Sequence, residues 1–408
     1  MSYGFITDAL AQRQAHGLLR NRSIAENISG REICLEGKGY LNFSSNDYLG
    51  LAASDELKKL TASFVGGQSF GSTGSSLLTG YHQSHHHLER LLCDWLVPDH
   101  SDEYAALLCC SGFSANVGTI KTLMNDANAV LIQDKLNHAS LMDAGVEANA
   151  KMLRFKHNDM THLNAKLNAL PTSEIATSRA MIVTEGVFSM DGDQGNLSEI
   201  AKLVTQNKHT SKIDTLFMVD DAHGIGVLGE RGSGTAHAHG LSSSDIDVRM
   251  VTFGKAIGTS GAAIVAKKPL IEYLLNFNRH YVYSTAISPL MANITAASIQ
   301  IIQQQQWRRD KLHSHISLFQ SLMSNFQHND AYPSSTTAIQ PVIIGEADKA
   351  LKISEYLRNN GVWVNAIRPP TVPNGSARLR ITLTANHTEQ DIYTLCHHLN
   401  NAADKFLC

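Results

Sequence analysis

Lys255 stands in the stretch VRMVTFGKAIGTSGAA, where an apolar run ends in Thr252 and the lysine is followed by small residues and glycines. An ammonium there is poorly placed for solubility. Burial lowers a lysine's pKa and turns its amine into a usable nucleophile and base. A second run, TLFMVDDAHG, ends in Asp220 and Asp221 after almost continuous apolar residues, with His223 two positions on. A carboxylate in such surroundings needs a cation or hydrogen-bond donors, or it neutralises. A structural Asp capping the following turn would meet the same need, so both readings stand. In AALLCCSGFSANVGTI a buried strand, a Gly-containing turn and a helix start follow one another. The first amides, at Gly112, Phe113 and Ser114, then lack intrahelical acceptors and form a phosphate cradle. Amine, anion and backbone donors are together what pyridoxal 5′-phosphate requires for its aldehyde, its pyridinium nitrogen and its phosphate.

Other residues fall beside these strand ends. His138 in DKLNHASLMDAG could stack on a flat ring, or could simply cap a helix. AMIVTEGVFSMDGDQG offers the Glu185 carboxylate and the Ser189 hydroxyl. GIGVLG has dinucleotide-fingerprint spacing, but the chain runs on into GERGSG, where the fingerprint demands a helix, so a nucleotide fold of that type is rejected. His82, His85, His86 and His87 cluster at the start of a helix pattern and are read as exposed first-turn residues, with no metal site assigned. Six cysteines without a CxxC pair argue against a disulfide framework or zinc, and most are read as small buried hydrophobes.

The elements that must position these groups are legible as alternation. Strand candidates at 105–110, 128–134, 180–186, 215–221 and 248–254 are apolar throughout and are separated by helical patterns such as 114–124 and 196–208. Such strands belong to a mostly parallel sheet covered on both faces, whose ligands lie beyond the carboxyl ends of the strands. After a helical stretch near 287–327 come a strand at 338–345, a helix ended by Gly361, the strand VWVNAIR, a PPTVPNG loop and the strand ARLRITLTA. A last helix starts at Thr388, with Asp391 completing a capping box. The fold class is therefore α/β, with a smaller C-terminal α+β unit. The expected divisions are an arm over 1–45, a large cofactor unit over 46–285 and the small unit over 286–408.

The 408 residues leave room for two or three domains, and 43% hydrophobic against 17% charged residues excludes disorder. Thirty-four basic and 37 acidic residues give a net charge of −3 without a basic run, which speaks against nucleic acid or an anionic membrane as partner. The N-terminus reads as an amphipathic helix and not as a signal peptide, and no stretch is apolar enough to span a bilayer. A cytoplasmic address is expected.

The segments FSSNDYLGL (43–51), TEGVFSMDGD (184–193), VDDAHG (219–224) and TFGK (252–255) resemble the α-oxoamine synthases. These are fold-type I pyridoxal-phosphate enzymes that condense an amino acid with an acyl thioester and release carbon dioxide. The resemblance runs in order over essentially the whole chain. AIRPPTVPNGSARLRITLTANH (366–387) is similar to the biotin-pathway branch, which uses L-alanine and pimeloyl-CoA or a pimeloyl carrier-protein thioester. The resemblance implies that Lys255 bonds the cofactor and later acts as base, that Asp220 pairs with the ring nitrogen and that His138 stacks on the ring. It puts His223 and Ser189 at the phenolic oxygen, and Gly112, Phe113 and Thr252 at the phosphate. It gives Arg20, Thr371 and Arg380 to the substrate, Arg380 to its carboxylate, and leaves Asn46 and Glu185 as pocket residues.

It also implies a homodimer with active sites at its interface. The Gly/Ser segment 70–85 carries Thr73 and Ser76, and TFGKAIG carries Ala256 and Ile257, where relatives often differ. Whether that segment reaches a neighbour's phosphate is left open. By pleat alone Arg378 and Arg380 share one strand face, which could be either solvent or pocket. Two alternatives are kept: a sister enzyme using glycine and acetyl-CoA, and a fold retained only for binding.

Overall fold

Continuous apolar strands need cover on both sides, and the chain supplies it with helices on either face of a seven-stranded sheet. The computed structural model describes residues 3–407 apart from 17, 29, 68, 171–177, 211–212, 325 and 327–330. Cys408, the first two residues and the end of the 287–327 stretch lie outside the described residues. In chain order the central strands are β1 Tyr104–Cys109, β2 Ala129–Asp134, β3 Lys151–Phe155, β4 Arg179–Glu185, β5 Asp214–Asp220, β6 Val248–Thr252 and β7 Ala262–Lys267. Across the sheet they run β1-β7-β6-β5-β4-β2-β3. From β6 to β3 every neighbouring pair is parallel, whereas β7 is antiparallel to both β1 and β6.

Every residue of β2 and β6 is buried, as strands covered on both faces should be. On one side Leu131, Met181, Met218 and Ile264 pack with Ile120 of the helix Gly112–Leu123 and Leu274 of the helix Lys268–Phe277. On the other, Ile132, Ile182, Phe217 and Val219 meet Leu163 and Leu167 of the helix Met160–Asn168, and Ile200 and Val204 of the helix Leu197–Thr210. All five strands read from the sequence are present, within a residue or two. The two that were not read are β3, in which only Phe155 is fully buried, and β7, whose run AAIVAK follows a string of small residues.

In the C-terminal part, Ile339–Gly345, Ala377–Thr382 and Asn365–Ile367 form a three-stranded antiparallel sheet. The strand expected over VWVNAIR divides there, because Val362–Trp363 instead pairs in parallel with Lys38–Asn42. That pairing extends a sheet through Glu32–Leu35 to Ala25–Ile28. The final helix, Glu389–Phe406, begins as expected: Thr388 accepts the Asp391 amide, and the Asp391 carboxylate accepts that of Thr388. The N-terminal helix, Gly4–Ala15, has no buried residue, so the amphipathic reading gains no buried face. Among the described residues no helix is long and apolar enough to cross a membrane.

Two smaller expectations change. The helix Gln83–Leu96 does start at the histidine cluster, and His86 and His87 are exposed, but His85 is 2% exposed. Its Nδ1 accepts the His82 amide at 2.8 Å and its Nε2 lies 2.8 Å from the Ile287 carbonyl, so helix capping draws it inward. Of the five cysteines described, Cys93, Cys109 and Cys396 are buried, Cys34 is half-buried and Cys110 is exposed. In the decoy segment, Gly226 and Gly229 take positive φ and the chain turns without opening an α-helix on the second glycine.

One side chain ties three strand ends together. His157, just beyond β3, places Nδ1 3.0 Å from Asp134 at the end of β2 and Nε2 2.7 Å from Asp193 in the loop after β4. Burial opposes a charge on the ring, but the hydrogen bonds and charges of both aspartates outweigh it and push the pKa up to about 10. A raised folded pKa stabilises fully below the unfolded value of about 6.5, and the contribution is lost as pH climbs through the folded value. His157→Asn should therefore lower the melting temperature at pH 7 by roughly 2 °C, about 2 kcal/mol spread over an unfolding entropy of ~2 cal/mol/K per residue. In thermal melts the gap to wild type should narrow toward pH 10.

Candidate active site

The pleat at the end of β5 sends its two aspartates apart. Asp220, 4% exposed, turns toward a cavity, with Oδ2 accepting Asn116 Nδ2 at 2.8 Å and Oδ1 accepting the Ala222 amide at 3.0 Å. Asp221 turns the other way and takes the Thr235 amide at 2.9 Å and the Thr235 hydroxyl at 2.7 Å. Burial raises its pKa to about 7, although the Thr235 bonds and the Arg249 charge oppose the shift. Asp220 therefore both caps the following turn through Ala222 and lines the cavity, while Asp221 ties the turn to Thr235.

Lys255 rides on the reversal that joins β6 to β7. The Phe253 amide bonds the Gly261 carbonyl at 2.9 Å, and Gly258 N–H closes onto the Lys255 carbonyl at 2.8 Å. Gly258 has φ +73°, and a Cβ there would stand 2.6 Å from the Ala52 amide nitrogen, so only glycine fits. The lysine is half-buried, with Nζ 2.7 Å from His223 Nε2. Its pKa falls to about 8 because burial penalises the ammonium, while the Asp220 and Glu185 carboxylates resist and the Arg380 charge assists. His223 is pushed well below its ordinary value, by burial first and then by Lys255 and Arg380.

Glu185, at the end of β4, accepts the His138 amide at 2.5 Å. Burial and the Asp220 charge hold its carboxyl well above the usual range, against the pull of Lys255. His138 caps the helix Ala139–Glu147 by accepting the Ser140 amide at 3.2 Å, and the same residue lines the cavity. Burial lowers its pKa against the opposing Asp220 charge. At the cradle, Ser111 accepts the Ser114 amide at 3.2 Å, which corrects the expectation that this amide is unpaired. Gly112 and Phe113 keep the free first-turn position.

A cavity of about 190 Å³ gathers these groups: Gly112, Phe113, His138, Asp220, Thr252 and Lys255 among them. Glu185 and His223 also line it. Arg380 stands beside the site and not in solvent. It is 8% exposed and donates Nε to the Ser189 carbonyl at 2.5 Å and Nη2 to Asn46 Oδ1 at 3.1 Å. Arg378 on the same face is buried too, paired with Asp191. Ser189 meets this network through its backbone. Arg20 and Thr371 are exposed in the single chain and do not line the cavity.

Three residues at the site were not singled out from the sequence. Tyr48, 1% exposed, links Asn46 to His223, while Asn116 and Ser140 anchor Asp220 and His138. The only sequence signal for Asn116 is a polar amide one turn into an otherwise small and apolar helix. The Gly/Ser segment is fastened to residues 285–286: Ser72 Oγ donates to the Ala286 carbonyl at 2.6 Å, and Ser75 bridges Thr285. The donor set fits pyridoxal phosphate, with an amine of lowered pKa, an anchored carboxylate, an imidazole wall and the free amides of a helix N-terminus on one cavity.

The sequence profile of the family described as aminotransferase class I and II matches residues 38–399. An 8-amino-7-oxononanoate synthase of Vibrio campbellii is 46% identical over 399 residues, 97% of either chain. One of Vibrio atlanticus is 45% identical over 98% of this chain and 93% of its own. Among solved structures, the serine palmitoyltransferase of Sphingomonas wittichii superposes with a TM-score of 0.88 at 25% identity, covering 99% of this chain and 98% of that one. An 8-amino-7-oxononanoate synthase of Francisella tularensis gives 0.75 at 25% identity, over 90% and 99%.

With a pKa of about 8, the Lys255 amine is neutral in about one molecule in a hundred at pH 6 and about one in ten at pH 7. Borohydride trapping of pyridoxal on Lys255, read by peptide mass, should rise about tenfold across that interval and level off above pH 8.

Proposed function

The chain belongs to the aminotransferase class I and II family, and from that premise we propose that it catalyses the 8-amino-7-oxononanoate synthase reaction: decarboxylative condensation of L-alanine with a pimeloyl thioester, in biotin biosynthesis. It is a pyridoxal-phosphate enzyme, a C-acyltransferase of the α-oxoamine synthase kind. The observation that carries this reading is the convergence of Lys255, Asp220, His138 and the Gly112–Phe113 helix start on one cavity.

Bound there, the cofactor supplies an electron sink for the pair released at the amino acid's α-carbon. Lys255 would hold the cofactor, and its amine would accept the proton from the α-carbon of L-alanine; a pKa of about 8 suits that transfer. Asp220, fixed by Asn116 and the Ala222 amide, would hold the ring nitrogen. His138 would wall the ring. Gly112, Phe113 and Thr252 would hold the phosphate, and His223 the phenolic oxygen. Ser189 stands on that side too, although its contacts run through its backbone. Arg380, with its planar fork, takes the substrate carboxylate, supported by Asn46.

Arg20 and Thr371 complete the substrate contacts in a homodimer, a state supported by the exposed Phe70, Leu77 and Leu78 of the Gly/Ser segment and by Phe113 at 48% exposure. The protein works in the cytoplasm, as an arm over 1–45, a cofactor unit over 46–285 and a C-terminal unit over 286–408.

Product analysis with L-alanine and pimeloyl-CoA, or the pimeloyl carrier-protein thioester, should give the aminoketone and carbon dioxide. Preferential turnover of glycine with acetyl-CoA would refute the choice of substrates. Lys255→Ala should abolish turnover and the visible absorbance of the lysine-bound cofactor. Asp220→Asn should retain cofactor while losing about 100-fold or more in kcat.

A further inference from the structure

Two arginines two residues apart on the strand Ala377–Thr382 meet the loop 187–194 as two rungs. Residues at that spacing share one face of a strand. Arg380 Nε donates to the Ser189 carbonyl at 2.5 Å and Arg378 Nη1 pairs with the Asp191 carboxylate, so strand and loop pass each other in opposite order. Asn46 Oδ1, 3.1 Å from Nη2, holds the Arg380 guanidinium at a second point. Two fixed points set the plane of the fork, and that plane decides how its remaining N–H groups meet a carboxylate.

The far side of the loop is tied down separately. Its ends bridge at Val187 and Gln194, and the Gly192 amide bonds the Phe188 carbonyl at 2.9 Å. The Gly192 carbonyl accepts the Ser335 hydroxyl at 3.0 Å and the Thr337 hydroxyl at 2.8 Å. On the arginine side, Asp191 is the side chain that reaches the strand. Arg378, its side chain 7% exposed, has Nε occupied by the Ser376 carbonyl at 3.1 Å and takes its counter-charge from Asp191. We propose that Asp191 is a positioning residue: its ion pair with Arg378 holds the loop against the C-terminal sheet, so that the Ser189 carbonyl takes Arg380 Nε and sets that guanidinium for the amino-acid carboxylate. The proposal rests on the carboxylate role given to Arg380 and is independent of the acyl donor. Without the Asp191 charge the fork turns about its Asn46 contact, and the carboxylate loses a partner that the amine chemistry at Lys255 does not need.

Asp191→Asn keeps the side-chain shape, and a thermal melt with the visible absorbance of the lysine-bound cofactor checks that it folds and loads. Titration of the holoenzyme with L-alanine, read by that absorbance, should give a Kd about tenfold weaker than wild type. Ethylamine, the same amine without its carboxylate, should bind within about twofold of wild type. In turnover, KM for L-alanine should rise about tenfold with kcat within about twofold. In an Arg380→Lys background, which itself should weaken L-alanine, Asp191→Asn should add less than about twofold, because both act through one guanidinium. If Asp191→Asn does not fold, Arg378→Lys, which keeps the charge and loses the fork, takes its place, with a loss of about threefold confined to L-alanine. Equal weakening for L-alanine and ethylamine, unchanged L-alanine affinity in the folded variant or in Arg380→Lys, or additive losses in the double variant would overturn the proposal. If the titrations behave as stated but neither pimeloyl thioester yields aminoketone, the reaction reading falls and the role of Asp191 stands.

Discussion

Burying a lysine amine beside two carboxylates is the constraint on which the rest of this structure turns. Desolvation alone would neutralise the amine, and the opposing charges of Asp220 and Glu185 alone would keep it fully protonated. The balance leaves an amine that exists in both forms near neutral pH. It needs every neighbour held still. Asp220 is pinned by an amide from Asn116, Glu185 by the His138 backbone, and His223 by a phenol. Each of those partners stands on a different element, so the sheet and its helices must be in place before the balance exists at all.

The near-neutral composition makes sense in the same terms. Under the proposed function, anionic groups would be met by local devices: helix amides at Gly112 and Phe113, and a guanidinium at Arg380 that the C-terminal sheet carries to the carboxyl ends of the central strands. The charge of −3 describes a surface, while the working charges are interior.

Much of this was legible because parallel strands covered on both faces leave unbroken apolar runs, and the polar residue that ends such a run is conspicuous. Lys255, Asp220 and Glu185 all announce themselves this way. What failed to show has definite causes. β3 lies at the sheet edge and has the mixed polarity of an edge, while β7 hides behind a string of small residues. Tyr48 follows the polar run Ser44–Asp47 in a loop and ends no apolar strand, and its partner is 175 residues away. Pleat periodicity could not place Arg378 and Arg380, because that strand is buried on both faces and its alternation no longer separates inside from outside. Asp220 and Asp221 differ only in which side of the sheet they face, a distinction that strand direction settles and composition does not.

The reversal between β6 and β7 works as a fixed pivot. Its backbone is closed by bonds at Phe253 and Gly258, and Ser298 from a neighbouring helix holds the Ile257 carbonyl at 2.5 Å. The lysine it carries can travel only by rotating its own side chain, so the amine explores the space those torsions reach from a backbone held in place. Whatever carbon it bonds must lie within that reach, and the amine stays near the same spot after the bond is broken. The chain thus returns its nucleophile to the place it left without moving a loop.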